Sequence, residues 1–327
     1  MREVAFIQQN KDKWMEIEEV LSGKLQKNPD ELSSLYINLI NDLAYAQTYY
    51  GNSNTTRYLN FLSTSVFQKI YKTKRGTPDR LKHFFVEEVP LLMYEYRRYL
   101  WFAFGIFWVF VAIGVASAHF DDSFVRLILG NHYVDMTLRN IADGNAAGVY
   151  SDGSMLGSFV GITKNNLQVG MNMYMLGIFG GLGTLYVLLQ NSIMLGSFQY
   201  FFHQQGALYE SARAIWVHGA FEISGMIVEA AAGFILGASV LFPGTYSRLD
   251  ALKIGFKNSF KIFLSVIPFT VVAGFLEGFV TRYANAMPLI LNLLIVFGTL
   301  GFIFWYYAVY PYFVHSKHMK YATLPTT

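Results

Sequence analysis

The alternation of apolar and polar positions changes character near Tyr99. Up to Arg98, apolar residues recur at helical spacing among frequent charges. Beyond Tyr99, charges collect in short clusters between long apolar runs. In the first part, Val4, Ile7, Trp14, Ile17, Val20 and Leu21 predict one helix, which Ser22-Gly23 ends. Pro29 opens a second, striped by Leu32, Leu35, Tyr36, Leu39, Ile40, Leu43 and Tyr50. After a turn at Gly51-Asn52-Ser53-Asn54, Tyr58, Leu62, Val66 and Ile70 give a third. A break at Thr73 to Pro78 precedes a further helix that runs towards the apolar part. The chain is therefore expected to comprise a helical domain at 1–98 and a transmembrane helical domain at 99–327.

The apolar runs set the membrane elements, because about 20 apolar residues cross a hydrocarbon core. Leu100–Ala118 is the first span and carries no charge; Met171–Leu189 is the second. Ser192–Phe202 is too short to cross as a straight helix and is expected to be short, tilted or re-entrant. Ala214–Phe242 is the fourth, Phe260–Phe279 the fifth, interrupted at Pro268, and Leu289–Phe313 the sixth. The last ends in Trp305, Tyr306, Tyr307, Tyr310 and Tyr312, residue types that suit the bilayer interface. The expected fold class is thus all-α, a polytopic bundle of about six membrane elements preceded by a cytoplasmic helical domain. The stretch from His119 to Gln168 is expected to be a solvated outer loop.

Composition agrees: 53% of the residues are hydrophobic and 14% charged, against about 25% charged in soluble domains. The absence of cysteine excludes disulfides, thiolate metal sites and a cysteine nucleophile. No signal-peptide core lies near Met1, so the first span is expected to act as an uncleaved anchor. Lys and Arg set the orientation. Lys69, Lys72, Lys74, Arg75, Arg80, Lys82, Arg97 and Arg98 precede the first span; Arg248, Lys253, Lys257 and Lys261 lie between the fourth and fifth; Lys317 and Lys320 follow the last. The opposite side has Arg126, Arg139 and Lys164 spread over a loop of some fifty residues, and Arg282. Both termini are therefore expected in the cytoplasm. Arg248 to Lys261, with Leu249, Leu252, Phe256 and Phe260 on one face, is expected to lie along the inner leaflet before turning into the fifth span.

Ionisable residues inside spans are costly and need a reason. His218 and Glu222 are one helical turn apart, Glu229 continues their face, and Glu277 sits near the outer end of the next span. This cluster could bind a cation, relay protons, or hold helices together by hydrogen bonds. The sequence around His218 is not the zinc-protease motif H-E-x-x-H, and neither a G-x-S-x-G nucleophile turn nor a phosphate-binding G-x-x-x-x-G-K-[ST] loop occurs. His132 and Asp135 in the outer loop fall short of a metal site. Gly177 and Gly181, Gly233 and Gly237, and Gly274 and Gly278 are each four apart within spans, which favours close helix packing or dimerisation.

The run Gly177-Ile-Phe-Gly-Gly-Leu-Gly-Thr184 with Asn191 and Gly196, the element His218-Gly-Ala-Phe-Glu222 with Gly233 and Gly237 behind it, and the segment Pro268 to Glu277-Gly278-Phe279 together resemble the stage II sporulation protein M family. The resemblance covers about Leu100 to Val280. It implies a multi-spanning bacterial inner-membrane protein without enzymatic activity of its own, which in spore formers scaffolds peptidoglycan-degrading partners. Wider relatives look associated with MoxR-type ATPases and von Willebrand A-type proteins, for which the N-terminal domain could be a docking site. The expected function is accordingly a non-enzymatic, homodimeric scaffold that organises such partners or cell-wall enzymes among membrane lipids, without cofactor, metal or nucleic acid. The alternative is a transporter or channel-like protein working through His218, Glu222, Glu229 and Glu277.

Overall fold

The computed structural model describes residues 1–25, 27, 29–71, 79–144, 148 and 154–322. The expected break at Thr73 to Pro78, the basic residues Lys72, Lys74 and Arg75, and the C-terminal Thr327 lie outside them. Among the described residues every regular element is helical. The chain divides into two compact units, Met1–Arg80 and Leu81–Thr327.

The first unit is three helices: α1 (Glu3–Ser22), α2 (Pro29–Tyr49) and α3 (Asn54–Tyr71). Gly23 ends α1 at φ 80°, a left-handed backbone that glycine adopts without the Cβ penalty. Phe6, Trp14, Ile17, Leu39, Leu43, Leu59, Leu62 and Val66 form its core. The α1 stripe buries Trp14, Ile17 and Val20 as expected and differs at its start, where Phe6 is buried and Val4 is 67% exposed. The reason is aromatic packing, since Phe6 sits edge-on to Trp14 and stacks on Tyr45. Asp42 accepts from Trp14 Nε1 at 3.0 Å and pairs with Lys13 at 3.3 Å, which ties α1 to α2.

In the second unit, four stretches among the described residues are helical, long and apolar enough to cross a membrane: Arg97–Phe120 (α6), Leu208–Leu241 (α11), Arg248–Tyr283 and Leu289–Lys320. The third consists of α12 (Arg248–Phe275) with a π turn at Leu276–Val280, and the fourth of α13 (Leu289–Phe304), a π turn at Trp305–Val309 and α14 (Tyr310–Ala322). Four is fewer than the six expected. Two other helices, α9 (Met155–Met175) and α10 (Leu182–Gln204), have 21 and 23 residues and hence lengths of about 32 and 35 Å. They are more polar, with Lys164, Asn165 and Asn166 in one and Gln190 and Asn191 in the other.

These helices correct several expectations. Met171–Leu189 is not one span: it is cut at Gly180 and Gly181, whose φ values of 67° and 85° reverse the chain between α9 and α10. Ser192–Phe202 is neither short nor re-entrant, being the continuation of α10. The stretch expected to be a solvated outer loop is largely helical among its described residues, with α7 (Asp122–Leu129), α8 (Asn131–Ala142) and the first turns of α9. Arg248–Lys261 does not turn into a separate span, because α12 runs unbroken through it and through Pro268.

α11 is the axis of the unit. It packs against α6, α9, α10, α12 and α13, and 72% of its apolar window is buried, against 17% for Leu289–Lys320. Around its C-terminal half the contacts are backbone-close. Gly177 meets the backbone of Gly233, Gly237 meets that of Gly180 and Gly181, and Gly233 also faces Thr184, whose hydroxyl donates to the Met173 carbonyl at 2.7 Å. Gly274 faces Thr163, and Gly278 faces Phe159. All six glycines singled out by spacing thus serve contacts within the chain. Residues 81–95, including α5 (Val89–Glu95), belong to the same unit. Tyr306 and Tyr310 donate to the carbonyls of Phe85 and Val86, and Lys261 pairs with Glu88 at 2.7 Å. Tyr306 and Tyr307 are therefore buried, while Trp305 and Tyr312 are exposed.

Candidate functional site

The N-terminal half of α11 carries Arg213, His218 and Glu222, whereas the C-terminal half packs through Gly233 and Gly237. Its first turns are fixed by Arg213, which donates to the carbonyls of Ala284 and Met287 at 3.1 and 2.7 Å, and by Asn292, which donates to the Arg213 carbonyl at 2.9 Å. These bonds hold the connection between α12 and α13 against α11. One turn further, His218 Nδ1 lies 2.9 Å from Thr281 Oγ1. The Thr281 hydroxyl donates to the Leu276 carbonyl at 3.1 Å, so its oxygen is left to accept from His218 Nδ1–H. That bond sets the tautomer and leaves the lone pair on Nε2. Nε2 lies 3.9 Å from Glu277 Oε2. Glu277 is carried by the π turn Leu276–Val280, a wider turn of the kind that often marks functional sites.

His218, Glu222 and Glu277 each offer one ligand atom within 4.8 Å of the others. All three line a cavity of about 350 Å³ whose walls come from α6, α10 and α11 and whose roof comes from α7 and α8. Apolar residues such as Phe107, Leu129, Leu195 and Phe198 make most of the wall; Tyr133 and Asn191 are its other polar members. Asn166 of α9 places its buried side-chain amide beside Glu222. The arrangement can bind a proton or a cation with charge-matched oxygen and nitrogen ligands, next to space for a further small molecule or water.

Glu229, the fourth member of the expected cluster, is not in the cavity. It is buried two turns further along α11, and its carboxylate fills the space that Gly170 of α9 leaves open. His132 and Asp135 do not converge: Asp135 pairs with Arg126 at 2.8 Å, and His132 is exposed. Sequence reasoning missed Thr281, Tyr133 and Asn166. Thr281 stands four residues after Glu277, a helical spacing that could have drawn it to the same face. Tyr133 and Asn166 carried no such signal while their stretch read as loop.

Two family comparisons bear on the chain. The model of a domain of unknown function (DUF8413) matches residues 4–72, within the first unit. No curated protein sequence and no solved structure matches. The model described as stage II sporulation protein M matches residues 102–282, more than half of the chain and the whole of the buried cluster. This membrane protein belongs to the stage II sporulation protein M family.

Proposed function

We propose that the chain is a multi-pass protein of the bacterial inner membrane that handles a proton or a cation at His218, Glu222 and Glu277, as a transporter or channel-like protein does. The observation that carries this reading is the cavity: the three ionisable groups face open volume, whereas residues that only glue helices together face other side chains. The reading places α9 and α10 in the membrane beside the four more apolar spans, six crossings in all. Their lengths and the reversal at Gly180-Gly181 support that count. Both termini are then cytoplasmic, which the basic residues Arg97, Arg98, Lys253, Lys257, Lys261, Lys317 and Lys320 at one end of the bundle support. No catalytic step is part of this reading.

A second reading, a homodimeric scaffold for ATPase, von Willebrand A-type or cell-wall partners, is favoured by one observation. The first unit is a separate helical body with its own family match, as a docking module would be.

The experiment replaces Glu222 and Glu277 by Gln, which removes charge with little change in volume. Complementation of a deletion strain and thermal stability in detergent are measured together. The site reading expects lost complementation with Tm, measured in the presence of a chelator, within about 2 °C of wild type, a shift of about 1 kcal/mol for a domain of this size. Full complementation by both variants would overturn it in favour of the scaffold.

A further inference from the structure

Building on the site reading above, we infer that His218 Nε2 and one oxygen each of Glu222 and Glu277 form a binding site for a divalent transition-metal ion of the zinc class. Three features of the site carry this. The Nδ1–H donation to Thr281 fixes the imidazole as a neutral ligand with its lone pair on Nε2, the arrangement metal-bound histidines adopt when an outer partner holds the other ring nitrogen. Two carboxylates beside that lone pair bring two negative charges into a largely apolar bundle, and a divalent ion leaves the centre neutral without a further counter-ion.

Geometry is the third feature. A tetrahedral ion with ligand distances of about 2.0–2.2 Å needs its ligands roughly 3.3–3.5 Å apart. The separations here are 3.9 Å for His218 and Glu277 and at most 4.8 Å across the set. Rotation of the two glutamate side chains, one of which is 15% exposed on the cavity, closes that difference while the histidine stays fixed. Three protein ligands leave a fourth position, and all three line the same cavity as Tyr133 and Asn191. Asn166, whose buried side-chain amide lies beside Glu222, is placed to orient that carboxylate as an outer-sphere donor. The N/O ligand set without sulfur excludes a soft-metal site such as copper(I).

The full chain, purified in detergent, is titrated with Zn²⁺ against a chelator, and its metal content is measured after dialysis. Wild type is expected to retain about one equivalent. His218→Ala, Glu222→Gln and Glu277→Gln are expected to retain under a tenth of that, with monodisperse elution showing that they are folded. Thr281→Val, which removes the outer partner alone, is expected to weaken Zn²⁺ binding about 10- to 100-fold. Glu229→Gln, a buried carboxylate outside the cavity, is expected to bind as wild type does. Wild type without retained metal, or equal loss in Glu229→Gln and Glu222→Gln, overturns the inference. Failure of the two proposals is separable. Lost complementation in Glu222→Gln with no metal in wild type removes the metal and leaves a proton site. Stoichiometric metal with full complementation removes the site's role in function and leaves the metal.

Discussion

The two halves of α11 are built from one helix and do opposite things. From Ala230 to Leu241 it is close-packed: Gly233 and Gly237 admit the backbone of the turn between α9 and α10, and Ala230, Ala231 and Ala232 are almost fully buried. From Leu208 to Met226 it carries Arg213, His218 and Glu222, and it faces a cavity. A small side chain in the first case admits a backbone; a large ionisable one in the second projects into space that no other residue fills. Packing and chemistry are thus separated by about two helical turns, and mutations in the two halves should fail in different ways.

The largest effect is expected in the close-packed half. Gly233→Leu would drive a branched side chain into Thr184 and the Met173 carbonyl, where neither side has a rotamer to escape to. Overpacking of this kind costs about 1–3 kcal/mol even for extra methylenes that can be accommodated, and here the obstacle is backbone. No folded, monodisperse protein is expected on detergent size exclusion. Recovery of wild-type amounts would break the comparison at its strongest point.

A smaller effect is expected at Gly177→Ala, which adds one methyl group against the Gly233 carbonyl. A loss of about 1–3 kcal/mol is expected, read as a lower Tm with ligand-site behaviour retained in whatever fraction stays folded. An unchanged Tm would mean that the turn can back away from α11.

At the cavity-lining half, Thr281→Val keeps shape and removes the oxygen that accepts from His218 Nδ1. Leaving a buried donor unpaired costs about 1–3 kcal/mol, so Tm should fall slightly while complementation weakens more than stability does. A Thr281→Ser variant should restore both, and failure of that rescue would argue against the hydrogen bond as the cause. The smallest effect is expected in sidedness labelling of single cysteines, made clean because the chain has no cysteine of its own. Cysteines at Asn52 and Tyr246 should be shielded from an impermeant thiol reagent in intact cells, and one at His132 should label. Labelling at Asn52 would overturn the orientation.

The sequence was most legible where an element is uniformly apolar. α6 and α13 lie where hydropathy and length put them, and the caps at Gly23 and Pro29 bound α1 and α2. It was least legible between Met155 and Gln204. There the hydropathy average runs straight across Gly180-Gly181, so two helices with a reversal read as one span and a remnant. The polar run Lys164-Asn165-Asn166 hides the other half of α9, because in sequence such a run signals solvent, although Asn166 lies beside Glu222. At the site, helical spacing brought His218 and Glu222 together and put Glu277 on the neighbouring helix. It also enrolled Glu229 on the same face, because spacing alone says nothing of the Gly170 gap that takes up its carboxylate.

The most direct measurement of the central claim pairs one variant from each half of α11: Gly233→Ala and Glu222→Gln, each assayed for Tm in detergent and for complementation normalised to folded protein. The account predicts a crossover. Gly233→Ala should lose stability by several degrees and keep normal activity per folded molecule, while Glu222→Gln, compared with wild type in the presence of a chelator, should keep its Tm and lose activity. Parallel losses in both assays for both variants would contradict it, since α11 would then be one packing element from end to end.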